Sequence, residues 1–440
     1  MAPVDSSGAG ARPAPGPSGS LDQWLAYLES IHPTEIDLGL DRVLVVLRRL
    51  FPRRPAVRIV TVGGTNGKGS CVAALEALLQ AAGRRTGAYT SPHLHRYNER
   101  VRLNGRDIDD ASLVRAFDRV EQARQNISLT YFEFGTLAAF VAMDEAGLDD
   151  WLLEVGLGGR LDAVNVLDTD LAILTSVDLD HQAFLGDNRE SIGFEKAGIF
   201  RQGRPAIYAD VDPPRSVLQQ AAAQKVPLQR LGEQYALTVN DALGTPVLQS
   251  QGARILLPAG PLPVNSVAAA VVAVRSLAPE LPVADIERTL SVLAVPGRFE
   301  TLKRAPAVIA DVGHNPHAAR WLAGRLASTR RPGQPVYAVY GALADKDVEG
   351  VVAALSDVVD RWWLAPLSVP RGLDALSLAR RVQAGGVDGA VPCESVSGAL
   401  DCAIAEAGAR DALVVVFGSF FTVGEARAVL AGTSDRGVAP

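Results

Sequence analysis

"VTVGGTNGKGS", Val60 to Ser70, decides how the rest of the chain is read. An apolar, β-branched run opens it and a glycine turn follows. The continuation "SCVAALEALLQAAG" then carries apolar residues at helical spacing up to Gly83. Strand, glycine loop and helix in that order make a phosphate cradle, because the backbone N–H groups of the turn and of the first helical turn converge on one anion. Gly63, Gly64, Gly67 and Gly69 allow close approach of the backbone, and Lys68 is the cation for the terminal phosphates. Gly69, however, separates Lys68 from Ser70, where the usual loop joins the lysine directly to a hydroxyl residue that holds magnesium. Another residue must take over that contact.

Working outward, the short apolar runs "TGAYTS", "WLLEV", "LAILTSV" and "PAIYA" alternate with helix-like segments, the pattern of a mainly parallel sheet covered by helices. Upstream, "LDQWLAYLESI" places Leu21, Trp24, Leu25 and Leu28 on one helical face. From about Leu231 to Pro258, "ALTV", "PVLQ" and "ARILLP" predict short antiparallel strands in an accessory sheet. Pro296 and Gly297 punctuate the chain in "AVPGRF". After them "AVIADV", "PVYAVYG", "RWWLAPL" and "ALVVVFG" restart the alternation, so a second α/β domain is expected over 296–430. The fold class is α/β, with tails at 1–20 and 431–440.

Composition narrows the class of protein. At 440 residues, two domains are the leading expectation. Acidic residues outnumber basic ones 49 to 43 and no long run of Lys or Arg occurs, which argues against a nucleic-acid partner. Cys71, Cys393 and Cys402 form neither a disulfide framework nor a CxxC pair. The Pro-, Gly- and Ser-rich opening lacks the apolar region of a secretory signal, and no apolar run approaches the roughly 20 residues of a membrane span. A soluble, cytoplasmic monomer with neither membrane nor nucleic-acid partner is the expectation.

Polar residues recur where predicted strands end, the edge at which open α/β sheets bind ligands. Ser91 follows "TGAYT", Glu154 closes "WLLE", and His181 follows "LAILTSVDLD". Taken singly, Ser91 reads as a turn residue, His181 as a structural histidine and Lys196 in "FEKAGIF" as a solvated charge, whereas Glu154 before its glycine turn reads more readily as a ligand than as a solvated loop carboxylate. Beside the displaced Ser70, Ser91 becomes a candidate for the magnesium contact, and Glu154 suits an ion that takes one or two carboxylates plus phosphate oxygens. The second domain repeats the arrangement with Asp311, His314 and Asn315 in "ADVGHNPHA", and with "GALADKD" and "FGSFFTV".

In order along the chain, "YLESIHPTEIDLGLDRV", "GGTNGKGS", "YTSPHLHRYNERVR", "SLTYFEFGTLAAF", "LEVGLGGRLDAVN", "LDHQAFLG", "FEKAGIF", "VPGRFE", "DVGHNPHAA", "DKD" and "GSFFTV" resemble the folylpolyglutamate synthase family of the Mur ligase superfamily, in its bifunctional dihydrofolate synthase branch. The resemblance covers Leu21 to Leu430. It implies a Mur-ligase-like P-loop ATPase and pterin-binding domain over 21–295, joined to a smaller Rossmann-like domain. It implies ATP and Mg2+ as cofactors, with L-glutamate, dihydropteroate and reduced folates as substrates. Thr65, Asn66, Gly67, Lys68, Gly69 and Ser70 would hold the ATP phosphates, with Asn265, Arg298 and Asp311 as further nucleotide contacts. Ser91, Glu154, His181 and a carbamylated Lys196 would hold the metal. Ser30, Ile31, His32, Pro33, Thr130 and Phe132 would line the dihydropteroate pocket, Ser419 would contact substrate, and His314 would position the reacting groups. Val164 and Phe194 depart from the family pattern, and neither is an expected ligand.

The implied chemistry starts from a carboxylate too stable to react with an amine. Transfer of the ATP γ-phosphoryl group gives an acyl phosphate, which the glutamate amine attacks with release of phosphate. The catalytic set expected from this reading is Lys68, Glu154, His181, Lys196 and His314. Folylpolyglutamate synthesis alone is one alternative. A Mur ligase acting on a UDP-linked peptide is another, although only some forty ordered residues precede "VRIVTV", few for a uridine-nucleotide domain. A nucleotide-dependent binding module would leave the strand-end residues without purpose.

Overall fold

The computed structural model describes residues 13–34, 36–240 and 244–432. Most of both expected tails lies outside these residues. Within 13–20 the chain is docked rather than loose, which corrects the expected length of the first tail: Trp24 Nε1 donates to Gly16 O at 3.0 Å, and Ala14 packs on the core. Ser20 then starts the Leu21–Leu28 helix through a reciprocal capping box with Gln23.

The larger sheet comprises β1 (Arg58–Gly63), β2 (Thr86–Tyr89), β3 (Val101–Leu103), β4 (Arg106–Asp107), β5 (Asp150–Glu154), β6 (Leu171–Leu174), β7 (Ala206–Tyr208) and β8 (Leu228–Arg230). Their order is β4-β3-β2-β5-β1-β6-β7-β8, and all run parallel from β2 to β8. The central strands are buried on both faces, which is why they read as continuous apolar runs. Alternate residues divide between the faces. Val60, Val62 and Ile173 meet the Lys68–Ala81 and Val264–Leu277 helices, whereas Ile59, Trp151 and Leu153 meet the Leu21–Leu28, Asp110–Arg124 and Tyr131–Glu145 helices.

Trp24 anchors the second of these cores. It is fully buried among Tyr27, Phe117 and Phe134, with ring centroids 5.8 to 6.4 Å away. Trp24→Ala leaves a cavity that rigid neighbours cannot close, so it lowers stability by about 3–5 kcal/mol, read from the urea midpoint by circular dichroism.

The accessory sheet is present as β9 (Tyr235–Asn240), β10 (Thr245–Ser250) and β11 (Ala253–Leu256), all antiparallel. The smaller six-stranded sheet comprises β12 (Glu300–Arg304), β13 (Ala307–Asp311), β14 (Val336–Tyr340), β15 (Arg361–Leu364), β16 (Val391–Pro392) and β17 (Leu413–Phe417), in the order β12-β13-β17-β14-β15-β16. Only β12 runs antiparallel in it. Among the described residues no helix is long and apolar enough to cross a membrane.

Candidate active site

Neighbouring strands β2, β5, β1 and β6 all end at the same edge, so Ser91, Glu154, the glycine loop and the segment leading to His181 stand in a row. The loop is shaped by its walls. Gly64 (φ 141°) and Gly67 (φ 83°) hold backbone conformations that side chains disfavour, and a Cβ at either would lie 1.9 Å from Thr175 Oγ1 or 2.2 Å from Ser266 Oγ. Thr175 Oγ1 donates to Asn66 O at 2.7 Å, and Ser176 Oγ accepts from Asn66 N at 3.1 Å. Thr65 Oγ1 donates to Asp178 O at 3.0 Å. Asn265 is half-buried in the first turn of the Val264–Leu277 helix, beside Ser266.

Lys68 is the first residue of its helix and folds back on the loop, with Nζ 3.1 Å from Gly64 O and 3.2 Å from Thr65 O. Burial lowers its pKa, against the nearby Glu154 and Asp180 charges. A Cβ on Gly69 would stand 3.5 Å from Glu154 Oε2 and 3.6 Å from Arg298 Nη2. The residue that separates Lys68 from Ser70 thus faces a carboxylate and a guanidinium, and its lack of a side chain keeps that space open.

Glu154 is buried, and its one hydrogen bond among the described residues comes from Ser91 N, 3.3 Å from Oε2. Burial raises its pKa, opposed by Lys68 and Arg298. Ser70 is buried too, and its Oγ has no partner among the described residues. Lys196 Nζ donates to Gly64 O at 3.1 Å, and burial together with Lys68 lowers its pKa to about 7. His181 has φ 52°, and partial enclosure with help from Lys346 and Lys68 lowers its pKa to about 4 against the pull of Asp180. Its imidazole is neutral at pH 7 and able to ligate.

A buried carboxylate with one weak bond, an orphaned hydroxyl and a neutral imidazole suit a divalent cation sharing phosphate oxygens. Among the described residues no three His, Cys, Asp or Glu side chains form a complete cage. Magnesium commonly takes only one or two protein carboxylates and completes its shell with phosphate oxygens and water.

The second sheet supplies the opposite wall. Arg298 lies over the Phe420 ring at 5.3 Å, and burial lowers its pKa against Asp311 and Glu154. Asp311 ends β13 with both oxygens engaged by backbone donors, Phe299 N at 2.9 Å and Gly313 N at 2.8 Å, so it braces the turn that carries Arg298. His314 Nδ1 donates to Val312 O at 3.0 Å, which leaves Nε2 towards Asp180 Oδ2 at 3.7 Å.

Several expected substrate residues have local structural duties. Thr130 caps the Tyr131–Glu145 helix in a box with Glu133, and Ser419 caps Phe420–Leu430 while bonded to Thr422 Oγ1 at 2.7 Å. Ser30 Oγ donates to Tyr27 O at 2.7 Å. His32 Nδ1 lies 2.9 Å from Thr34 O, and Pro33 is exposed. Ser128 Oγ donates to Ile31 O at 3.0 Å and ties that segment to the approach to Thr130. Phe132 packs 6.0 Å from Tyr89 and against Gly156, two residues beyond Glu154, so its ring borders the row of strand ends. The sequence reading missed Thr175, Ser176 and Ser266 as walls of the loop. Their signal was position alone, at the end of β6 and the start of a helix.

Comparison with known proteins agrees with this geometry. The family model described as Mur ligase, glutamate ligase domain matches residues 297–420. The dihydrofolate synthase/folylpolyglutamate synthase of Escherichia coli (strain K12) is 43% identical over 416 residues, covering 94% of this chain and 97% of that protein. E. coli FolC in complex with DHPP and ADP superposes with a TM-score of 0.90 at 42% identity, covering 96% of this chain and all of the other. A bifunctional folylpolyglutamate synthase/dihydrofolate synthase with Mn, AMPPNP and L-glutamate bound gives 0.87 at 43% identity, covering 95% of this chain and all of the other. A glycine phosphate loop and a row of strand-end ligands facing a second parallel sheet are the marks of an ATP-dependent ligase of the Mur fold. Within that class, the chain belongs to the dihydrofolate synthase/folylpolyglutamate synthase family.

Proposed function

We propose that this protein joins L-glutamate to dihydropteroate, giving dihydrofolate, and to reduced folates, giving polyglutamates, through an acyl phosphate formed from ATP. The observation that carries the reading is the buried, weakly bonded Glu154, on which the charges of Lys68 and Arg298 both act, with Glu154 and Arg298 facing side-chain-free Gly69. Lys68 and the loop amides hold the phosphates and take up negative charge as the γ-phosphoryl group transfers. Arg298 approaches from the second domain, so both halves of the molecule enclose the reacting groups and exclude water from the acyl phosphate. Glu154, Ser91, His181 and carbamylated Lys196 would hold magnesium, which when bound neutralises phosphate oxygens. The Thr65 to Ser70 loop, Asn265 and Asp311 serve the nucleotide. His314 orients the acyl phosphate or the amine.

For the acceptor, Ser128 ties the 30–33 segment to the approach to Thr130, Phe132 packs beside Tyr89, and an aromatic face beside polar loop groups suits a flat pterin ring. Purified protein given ATP, magnesium and glutamate converts both dihydropteroate and a reduced folate monoglutamate, with products separated by chromatography. His32→Ala and Thr130→Ser, the latter keeping the helix cap, impair the first reaction more than the second. Turnover of the folate with none of dihydropteroate overturns the dual assignment. Absence of glutamate-dependent ATP hydrolysis with either acceptor overturns the reading as a whole. The protein is taken to work as a monomer in the cytoplasm.

A further inference from the structure

Asp180, on the loop after β6, meets three groups of the opposite domain. Lys346 Nζ donates to Oδ1 at 2.9 Å, Asn315 Nδ2 donates to Oδ2 at 2.9 Å, and His314 Nε2 lies 3.7 Å from Oδ2. The Asp180 and Lys346 side chains are 11% and 8% exposed, so their charges face each other largely out of water. Asn315 carries the connection onward. Its side-chain amide pairs reciprocally with that of Asn66 in the phosphate loop, at 2.9 and 3.0 Å, while its Oδ1 caps the Pro316–Thr329 helix through Ala318 N at 3.0 Å. A capped helix start in one domain is therefore bonded at once to the phosphate loop and to Asp180 in the other.

We propose that Asp180 is a positioning residue that fixes the ligand-facing edge of the second domain in register with the phosphate loop. Buried charge pairs add little net stability but are costly to break singly, because the remaining charge is left uncompensated. Such a pair suits a contact that must select one arrangement of two domains. Without it the Arg320 to Asp178 bond at 2.9 Å still crosses the junction but the more buried charge pair is lost, so the second sheet takes a wider range of angles and Arg298 and His314 meet the phosphates only part of the time. Asn66, expected to act on phosphate, has its side chain committed to this junction, while its backbone N and O are bonded to Ser176 and Thr175.

The inference rests on the ligase reading only for its activity arm. Nitroxide labels on Val211→Cys and Leu376→Cys, at positions 68% and 70% exposed, report the distance between domains by pulsed electron resonance in a Cys393→Ser/Cys402→Ser background. Asp180→Asn broadens the distance distribution and lowers kcat roughly tenfold or more, with circular dichroism unchanged. Lys346→Met gives the same broadening, and the double variant broadens no further than either single one, as expected for partners in one contact. If Asp180→Asn does not fold, Lys346→Met carries the distance test alone. A distribution like that of the parent in a folded Asp180→Asn or Lys346→Met variant overturns the proposal, whatever the activity. Loss of turnover with unaltered distances would place the role of Asp180 on its own loop.

Discussion

Lys68→Ala abolishes glutamate-dependent ATP turnover while leaving the fold intact. The lysine lies in the first turn of a helix and its Nζ bonds go to the Gly64 and Thr65 carbonyls of its own loop, so truncation breaks no side-chain hydrogen bond to another element among the described residues. What it removes is the cation nearest the phosphates in a site where burial already disfavours that charge. Charge developing on the phosphoryl oxygens then lacks a counterpart, and losing one such group lowers kcat by roughly 10²–10³-fold. Glu154→Gln keeps the shape and the Ser91 bond but deletes the negative charge offered to a cation, so it loses turnover to a similar degree and more magnesium restores part of it. Either variant, folded by circular dichroism, retaining parental turnover at saturating ATP and magnesium would remove the residue from the proposed site.

Carbon dioxide is expected to add to Lys196, and turnover is expected to need the resulting carbamate. Addition requires a neutral amine. An ordinary lysine near 10.4 is neutral in only roughly one molecule in a few thousand at pH 7, whereas a group near 7 is neutral in roughly half. Burial, reinforced by Lys68, provides that shift. The sign is that lowering pH below about 7 protonates Lys196 and withdraws the carbamate, so activity falls on the acid side. With 13C-bicarbonate, the parent protein gives a carbamate carbon resonance that Lys196→Ala lacks, and turnover in bicarbonate-depleted buffer recovers when bicarbonate is returned. A parent spectrum without that resonance, at full activity, leaves Lys196 as an uncarbamylated amine bonded to Gly64 O.

The legible part of the fold was that governed by local pattern. β1, the glycine turn and the following helix were readable because an apolar run, positive-φ glycines and helical spacing succeed one another within 24 residues, 58–81. The antiparallel accessory strands were readable for the same reason. β12 was missed because "ETLKR" is charged and edge-lying, so it carries no apolar run. The Asp41–Leu50 helix was passed over although Val43, Val46, Leu47 and Leu50 in "DRVLVVLRRL" recur at helical spacing. In the site, strand-end positions selected Ser91, Glu154 and His181. Asp180 was passed over in favour of its neighbour, because its partner Lys346 is 166 residues away and nothing local announces the pairing. Thr130 shows the opposite case, since the T-x-x-E spacing that caps its helix was present in the quoted stretch.

The strand order of the smaller sheet also bears on how the protein is made. β17 is last in the chain but lies in the middle of that sheet, between β13 and β14. A nascent chain halted between Tyr340 and Leu413 therefore holds strands on either side of a missing centre, each presenting an unpaired edge. The apolar Leu413–Phe417 segment must leave the ribosome before they join, and Ser419 follows after Gly418. The larger domain can fold earlier, with its phosphate loop formed, while the wall that brings Arg298 and His314 to it waits for nearly the last residues. Incomplete chains are thus inactive as ligases and exposed as substrates for quality-control proteases, and a C-terminal truncation that reaches β17 dismantles the second domain rather than trimming it.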